Sequence, residues 1–227
     1  MRFLKDRPCI RLLIFDLDGT LIDSKTDLAN SVNATLRYLG RPPLEDETIY
    51  SYVGQGAPAL ISKALGSGIP ESEVARGLEF FLSYYRQHKL DNTTLYPGAK
   101  ETLEKLTNGA ASPDRILGVL TNKPVNPSRD ILRGLGLLPL FRFVYGGNSF
   151  ETKKPDPAGL YSILEDTGIP CTAAMMVGDS DVDIQTGLNA GVWTCAVTYG
   201  FGTLNPAINP PDLLVDSLSE LADVLLP

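Results

Sequence analysis

A chain of 227 residues, 43% hydrophobic and 21% charged, is long enough for one large α/β domain or a core with a small insert, and too apolar to be disordered. Its formal net charge of −7, with no cluster of Lys or Arg, argues against a nucleic-acid surface, because phosphate backbones require concentrated positive charge. A single histidine, His88, argues against a Ser-His-Asp triad or a His-liganded zinc site and points acid–base work to carboxylates. Cys9, Cys171 and Cys195 lack metal-ligand spacing and read as reduced thiols. No segment has the length of a membrane span, and the N-terminus has no long apolar segment of the signal-peptide kind. A cytoplasmic protein is therefore expected, without a membrane or nucleic-acid partner and as a monomer or homodimer.

The first predicted element is Leu12-Leu13-Ile14-Phe15, an apolar, branched run of the kind buried in a parallel sheet. It runs into Asp16-Leu17-Asp18-Gly19-Thr20, which places two carboxylates at a strand's carboxyl end, where open α/β sheets bind ligands. Asp23 and Ser24 read as a helix-capping pair. Ala29, Val32, Leu36 and Leu39 then recur at helical spacing up to Gly40 and Pro42-Pro43. Tyr52-Val53-Gly54-Gln55-Gly56-Ala57 is a glycine-rich loop before a short helix over Pro58–Leu65. A longer helix opens at Glu71-Ser72-Glu73 and carries Val74, Leu78, Phe81, Leu82 and Tyr85, with His88 at its exposed-looking end. Tyr96-Pro97-Gly98 breaks the pattern before a helix from Ala99 to Leu106.

From there strands and helices alternate. Strands are expected over Ile116–Leu120, Phe141–Tyr145, Ala173–Val177 and Val192–Val197. Helices are expected near Pro127–Arg133 and over Pro157–Asp166 and Asp181–Asn189. That alternation implies βαβ units and a doubly wound parallel sheet. The organisation expected is an α/β core of residues 1–22 and 94–227, interrupted by a helical insertion at 23–93.

Four motifs in this order resemble those of the haloacid dehalogenase superfamily. They are Asp16-Leu17-Asp18-Gly19-Thr20, Thr121-Asn122-Lys123, Lys153-Lys154-Pro155-Asp156-Pro157, and Gly178-Asp179-Ser180-Asp181-Val182-Asp183. The resemblance implies a Rossmann-like core with a helical cap domain, and a magnesium-dependent phosphomonoesterase acting on a small phosphorylated metabolite. Asp16 would be the nucleophile, forming an aspartyl-phosphate. Asp18 would protonate the leaving alkoxide and later activate water. Superfamily members that displace halide carry no aspartate there, so Asp18 points to phosphate esters. Mg2+ would be held by Asp16, the Asp18 carbonyl and Asp179, with Asp183 in support rather than Asp181, which reads as a first-turn residue complementing the helix dipole. Thr121, Asn122 and Lys154 would meet the phosphoryl group; Lys123 reads as a surface charge.

Within the insertion, Gly54, Gln55 and Gly56 are similar to the cap loop of phosphoglycolate phosphatases, and Thr198-Tyr199-Gly200-Phe201-Gly202 also resembles that family. This makes 2-phosphoglycolate the expected substrate. The alternatives are a pyrophosphatase, a β-phosphoglucomutase, a phosphonate hydrolase and a non-catalytic phosphate-binding regulator. Ser51–Leu60 contains no Lys or Arg, against the mutase; Lys63 falls too late for a phosphonate hydrolase; and retention of Asp16 and Asp18 disfavours the regulator.

Overall fold

The structure, a computed structural model, describes residues 8–108 and 115–226. Six parallel strands form the main sheet: β1 (Leu12–Phe15), β4 (Ile116–Leu120), β5 (Phe143–Tyr145), β6 (Ala174–Gly178), β7 (Trp193–Val197) and β8 (Leu213–Val215). Their order is β5-β4-β1-β6-β7-β8, so β1 lies at the centre, where the winding changes direction. Leu12 pairs in register with both Ile116 and Ala174, and Phe15 with both Val119 and Val177. The carboxyl ends of the three central strands are therefore level, and the loops that follow them converge.

The apolar runs are continuous because both faces of the sheet are covered. Side chains alternate: Leu13 and Phe15 enter one core cluster with Leu103, Ile131 and Leu221, while Leu12 and Ile14 enter the other with Leu160 and Ile163. Helices α5 (Ala99–Asn108), α6 (Val125–Gly134) and α9 (Leu218–Leu225) supply the first face, α7 (Ala158–Thr167) and α8 (Asp181–Ala190) the second.

Between β2 (Ile22–Asp23) and β3 (Thr94–Leu95) lie four helices: α1 (Lys25–Tyr38), α2 (Asp46–Tyr50), α3 (Ala57–Leu65) and α4 (Glu71–His88). The two short strands pair antiparallel, Ile22 with Leu95 and Asp23 with Thr94, which brings the two ends of the insertion together. A second tie is electrostatic. The buried Asp27 carboxylate accepts hydrogen bonds from the Asn92 backbone N–H at 3.0 Å and its side-chain amide at 2.9 Å. It also accepts from the Thr93 N–H at 2.8 Å and the Thr93 hydroxyl at 2.7 Å. Removing that carboxylate orphans two buried donors of Thr93 and two more on Asn92 at once. Asp27→Ala is expected to destabilise the fold by about 3 kcal/mol or more, read as a lower urea midpoint; a loss under about 1 kcal/mol would show that the β2–β3 pair alone anchors the insertion.

Several expectations are corrected. Val192–Val197 does not end the sheet: β8 and α9 follow, and Asp46–Tyr50 is an additional helix. A three-residue strand just after Pro210-Pro211 is too short to carry a readable period. Ser24 occupies the N-cap of α1 but makes no side-chain capping bond. Its hydroxyl donates to Asp18 instead, at 2.5 Å.

Candidate active site

β1 delivers Asp16, β4 delivers Thr121, Asn122 and Lys123, and β6 delivers Asp179 to one end of the sheet. Asp16, Asp179 and Asp183 are buried, and carboxylate oxygens of all three lie within 4.8 Å of one another. The buried Lys154 ammonium donates to Asp183 Oδ1 at 2.6 Å and lies 3.0 Å from Asp16 Oδ1. That second contact is an ion pair without hydrogen-bond geometry, so Asp16 Oδ1 is a buried oxygen with no hydrogen-bond donor. Lys153, next in sequence, is exposed.

Asp183 is held on both oxygens, since its Oδ2 accepts from the Ser180 N–H at 3.2 Å and hydroxyl at 2.6 Å in a capping box at the start of α8. Asp181, two residues earlier, accepts from the Asn205 N–H and stays outside the cluster. Asp179 Oδ2 accepts the backbone N–H groups of Phe201 and Gly202 at 3.1 and 2.7 Å. The loop after β7 thus serves the site by clamping this carboxylate. Gly19, at φ +83°, lets the loop after β1 approach so closely that a Cβ there would overlap the Asp179 carboxylate.

The electrostatics ask for a cation. Three carboxylates face one ammonium, an excess of two negative charges. Burial pushes the Asp16 and Asp179 carboxyls up. Lys154 opposes the shift at Asp16, whereas Asp183 reinforces it at both. Burial alone would lower the Lys154 ammonium, but Asp16 and Asp183 outweigh it and hold its pKa above the ordinary lysine value. A hard divalent ion bound by oxygen ligands would meet the unpartnered Asp16 oxygen and offset the excess charge, so the residues present fit such an ion.

Lys123 is not the surface charge expected from sequence. It is buried, with Nζ 3.0 Å from both Asp18 carboxylate oxygens and 4.5 Å over the Tyr85 ring from α4. The reason is topological: the loop after β4 is itself roofed by the insertion. Asn122 is also redirected. Its side-chain amide donates to the Gly54 and Lys154 carbonyls at 2.9 and 3.0 Å and accepts the Lys154 N–H at 3.0 Å, so that side chain is committed to joining core and insertion rather than to a phosphoryl oxygen. The Thr121 hydroxyl accepts the Lys123 N–H at 3.2 Å, which leaves its own proton to donate.

In the glycine loop, Gly54 and Gly56 line a cavity of about 60 Å³ above Asp16 and Asp18, whereas Gln55 is exposed and does not line it. A Cβ on Gly56 would come within 3.0 Å of the Asn122 carbonyl; one on Gly54 would meet nothing within 4 Å. The close approach to the core is made by Gly56.

Comparison with known proteins agrees with this construction. The family model of haloacid dehalogenase-like hydrolases matches residues 13–197. A phosphoglycolate phosphatase of Vibrio vulnificus is 40% identical, with 96% of each chain covered. Another from Pseudomonas syringae pv. tomato is 37% identical over 96% of this chain and 83% of its own length. The crystal structure of a predicted phosphoglycolate phosphatase from Haemophilus somnus superposes with a TM-score of 0.88 at 32% identity, covering 95% of this chain and 97% of that one. The chain belongs to the haloacid dehalogenase-like hydrolases.

Proposed function

We propose that this phosphoric monoester hydrolase acts on 2-phosphoglycolate, releasing glycolate and phosphate, with residues 23–93 as a cap over the active site. The observation that carries the reading is the presence of Asp16 and Asp18 in the lining of a small cavity whose other walls include Gly54, Gly56, Leu60 and Tyr85 of the insertion. Relatives at 37–40% identity named phosphoglycolate phosphatase support the choice of substrate. A roof this close suits a small phosphorylated acid and not a macromolecular substrate.

In this reading Asp16 attacks phosphorus and the ester oxygen leaves, taking a proton from Asp18. Asp18 then accepts a proton from the water that cleaves the aspartyl-phosphate. Thr121 donates to a phosphoryl oxygen and Lys154 offsets its negative charge. Asp16, the Asp18 carbonyl and Asp179 would hold Mg2+, with Asp183 positioning Lys154 behind them; the ion would supply charge neutralisation to the incoming phosphate dianion. The β-phosphoglucomutase reading is disfavoured because the loop from Ser51 to Leu60 brings no cation to the cavity. Lys63, the one candidate for a phosphonate hydrolase's amine, sits 6.0 Å over the Tyr52 ring and does not line the cavity.

The test is phosphate release from a panel of phosphorylated metabolites with magnesium, where 2-phosphoglycolate is expected to give the highest kcat/KM; a sugar phosphate in first place would overturn the assignment. A substitution sharpens it. Gly56→Val forces a side chain at φ +86° against the Asn122 carbonyl and props the loop away from the core. It is expected to lower kcat/KM for phosphoglycolate by about tenfold or more, roughly 1.4 kcal/mol, and hydrolysis of a small aryl phosphate far less, because a good leaving group depends less on closure. Equal losses on both substrates would assign the loop to folding rather than selection.

A further inference from the structure

The cavity lining is chemically mixed: Asp16, Asp18 and Asp179 bring carboxylates, Leu28, Leu60, Phe81, Leu82 and Pro127 are apolar, and Lys123 and Tyr85 are further polar groups. Lys123 is the one Lys or Arg among the described residues that line the cavity, and it is buried. An ammonium carries three donors. The Asp18 oxygens, each 3.0 Å away, take two of them, and the Tyr85 ring lies 4.5 Å from the same nitrogen. A carboxylate is a stronger partner for the remaining donor than the face of a phenol ring.

Tyr85 adds an independent observation. Its side chain is buried to 3% exposure, and its hydroxyl proton has no acceptor, because the polar group beside it is the Lys123 ammonium, itself a donor. The nearby Lys123 charge acts on it electrostatically, but burial dominates and pushes the hydroxyl up to about 12, so it is a neutral donor at any physiological pH. A buried phenol normally finds a partner. A counterion role for Lys123 toward Asp18 leaves the hydroxyl proton without an acceptor. Its place in the cavity wall is accounted for if the partner arrives with the substrate.

We propose that Lys123 Nζ and the Tyr85 hydroxyl form the subsite for the carboxylate end of the substrate. The inference rests on the phosphoglycolate reading and deepens it: phosphate at Asp16, carboxylate at Lys123 and Tyr85. Lys123 belongs to the core loop after β4 and Tyr85 to α4 of the insertion, so a bound carboxylate would bridge the two. A substrate lacking it would forgo both the ion pair and the bridge, which makes the pair a device for specificity as well as affinity.

The experiment compares kcat/KM for 2-phosphoglycolate with that for ethyl phosphate, which has the same carbon count and no carboxylate, in the wild type, Tyr85→Phe and Lys123→Met. Tyr85→Phe keeps the ring and removes only the hydroxyl, so it reports even if the loss of a buried cation unfolds Lys123→Met. The wild type is expected to favour phosphoglycolate strongly. Tyr85→Phe should cut that preference by roughly tenfold, mainly through KM. Lys123→Met should bring the two substrates to within about threefold of each other, although both rates fall because Asp18 loses its partner. If the wild type prefers phosphoglycolate and both variants keep its ratio, the carboxylate is read elsewhere and this subsite is overturned while the substrate assignment stands. If the wild type shows no preference for phosphoglycolate, the substrate assignment fails and the subsite with it.

Discussion

Asp16→Asn is expected to lower turnover by at least about a thousandfold, more than roughly 4 kcal/mol of barrier, with the fold intact. The amide keeps the size of the side chain, and the buried strand end that carries it depends on Leu13 and Phe15 rather than on its charge. In the proposed mechanism what is lost is the nucleophile, since an amide oxygen attacks phosphorus poorly and its acyl product would not turn over. The substitution also removes the charge that pairs with Lys154, which retains Asp183 as a partner at 2.6 Å. Steady-state phosphate release with circular dichroism as a control for folding decides the matter. More than a tenth of wild-type activity would exclude an aspartyl-phosphate at this position.

Chelation should have an effect of similar size. With Asp16, Asp179 and Asp183 crowded around one ammonium, a phosphate dianion would enter a site that is already in excess of negative charge. Activity is expected to vanish in excess chelator and to return with magnesium. Calcium should inhibit, because its larger and more flexible shell lets Asp16 bind through both oxygens and occupies the attacking lone pair. A thermal melt gives a readout independent of turnover: an ion that binds the folded chain and not the unfolded one should raise Tm with its concentration. Full activity in chelator, or full activity with calcium, would remove the metal from the mechanism.

The catalytic end of the sheet was legible for a definite reason. Leu12–Phe15, Ile116–Leu120 and Ala174–Gly178 are buried on both faces, so each appears in sequence as an unbroken apolar run, and the polar residue after each run marks a strand end. Motif spacing then distinguishes Asp183 from Asp181 and Lys154 from Lys153, because α8 and the loop before α7 hold local geometry that a few residues specify. The short strand Leu213–Val215 had no such signal. It is a sheet member because β7 offers it an edge, and its own three residues carry no period.

Local sequence determined the strand ends and the order of the elements, properties of segments a few residues long, and the resemblance of the four motifs pointed to Asp16, Asp179 and Asp183 as one cluster. The tertiary structure decided what lies opposite them. Lys123 is polar and directly precedes a proline, which alone reads as a surface loop; it is buried because α4, from the insertion earlier in the chain, lays Tyr85 across it. Ser24 serves Asp18 rather than the helix it begins, and Asn122 spends its amide on Gly54 and Lys154 instead of the ligand. Each of these depends on where the insertion rests on the core. That placement is set by burial of apolar area and by long-range hydrogen bonds such as Asp27 to Thr93, interactions between residues far apart in the chain, which periodicity and spacing do not encode.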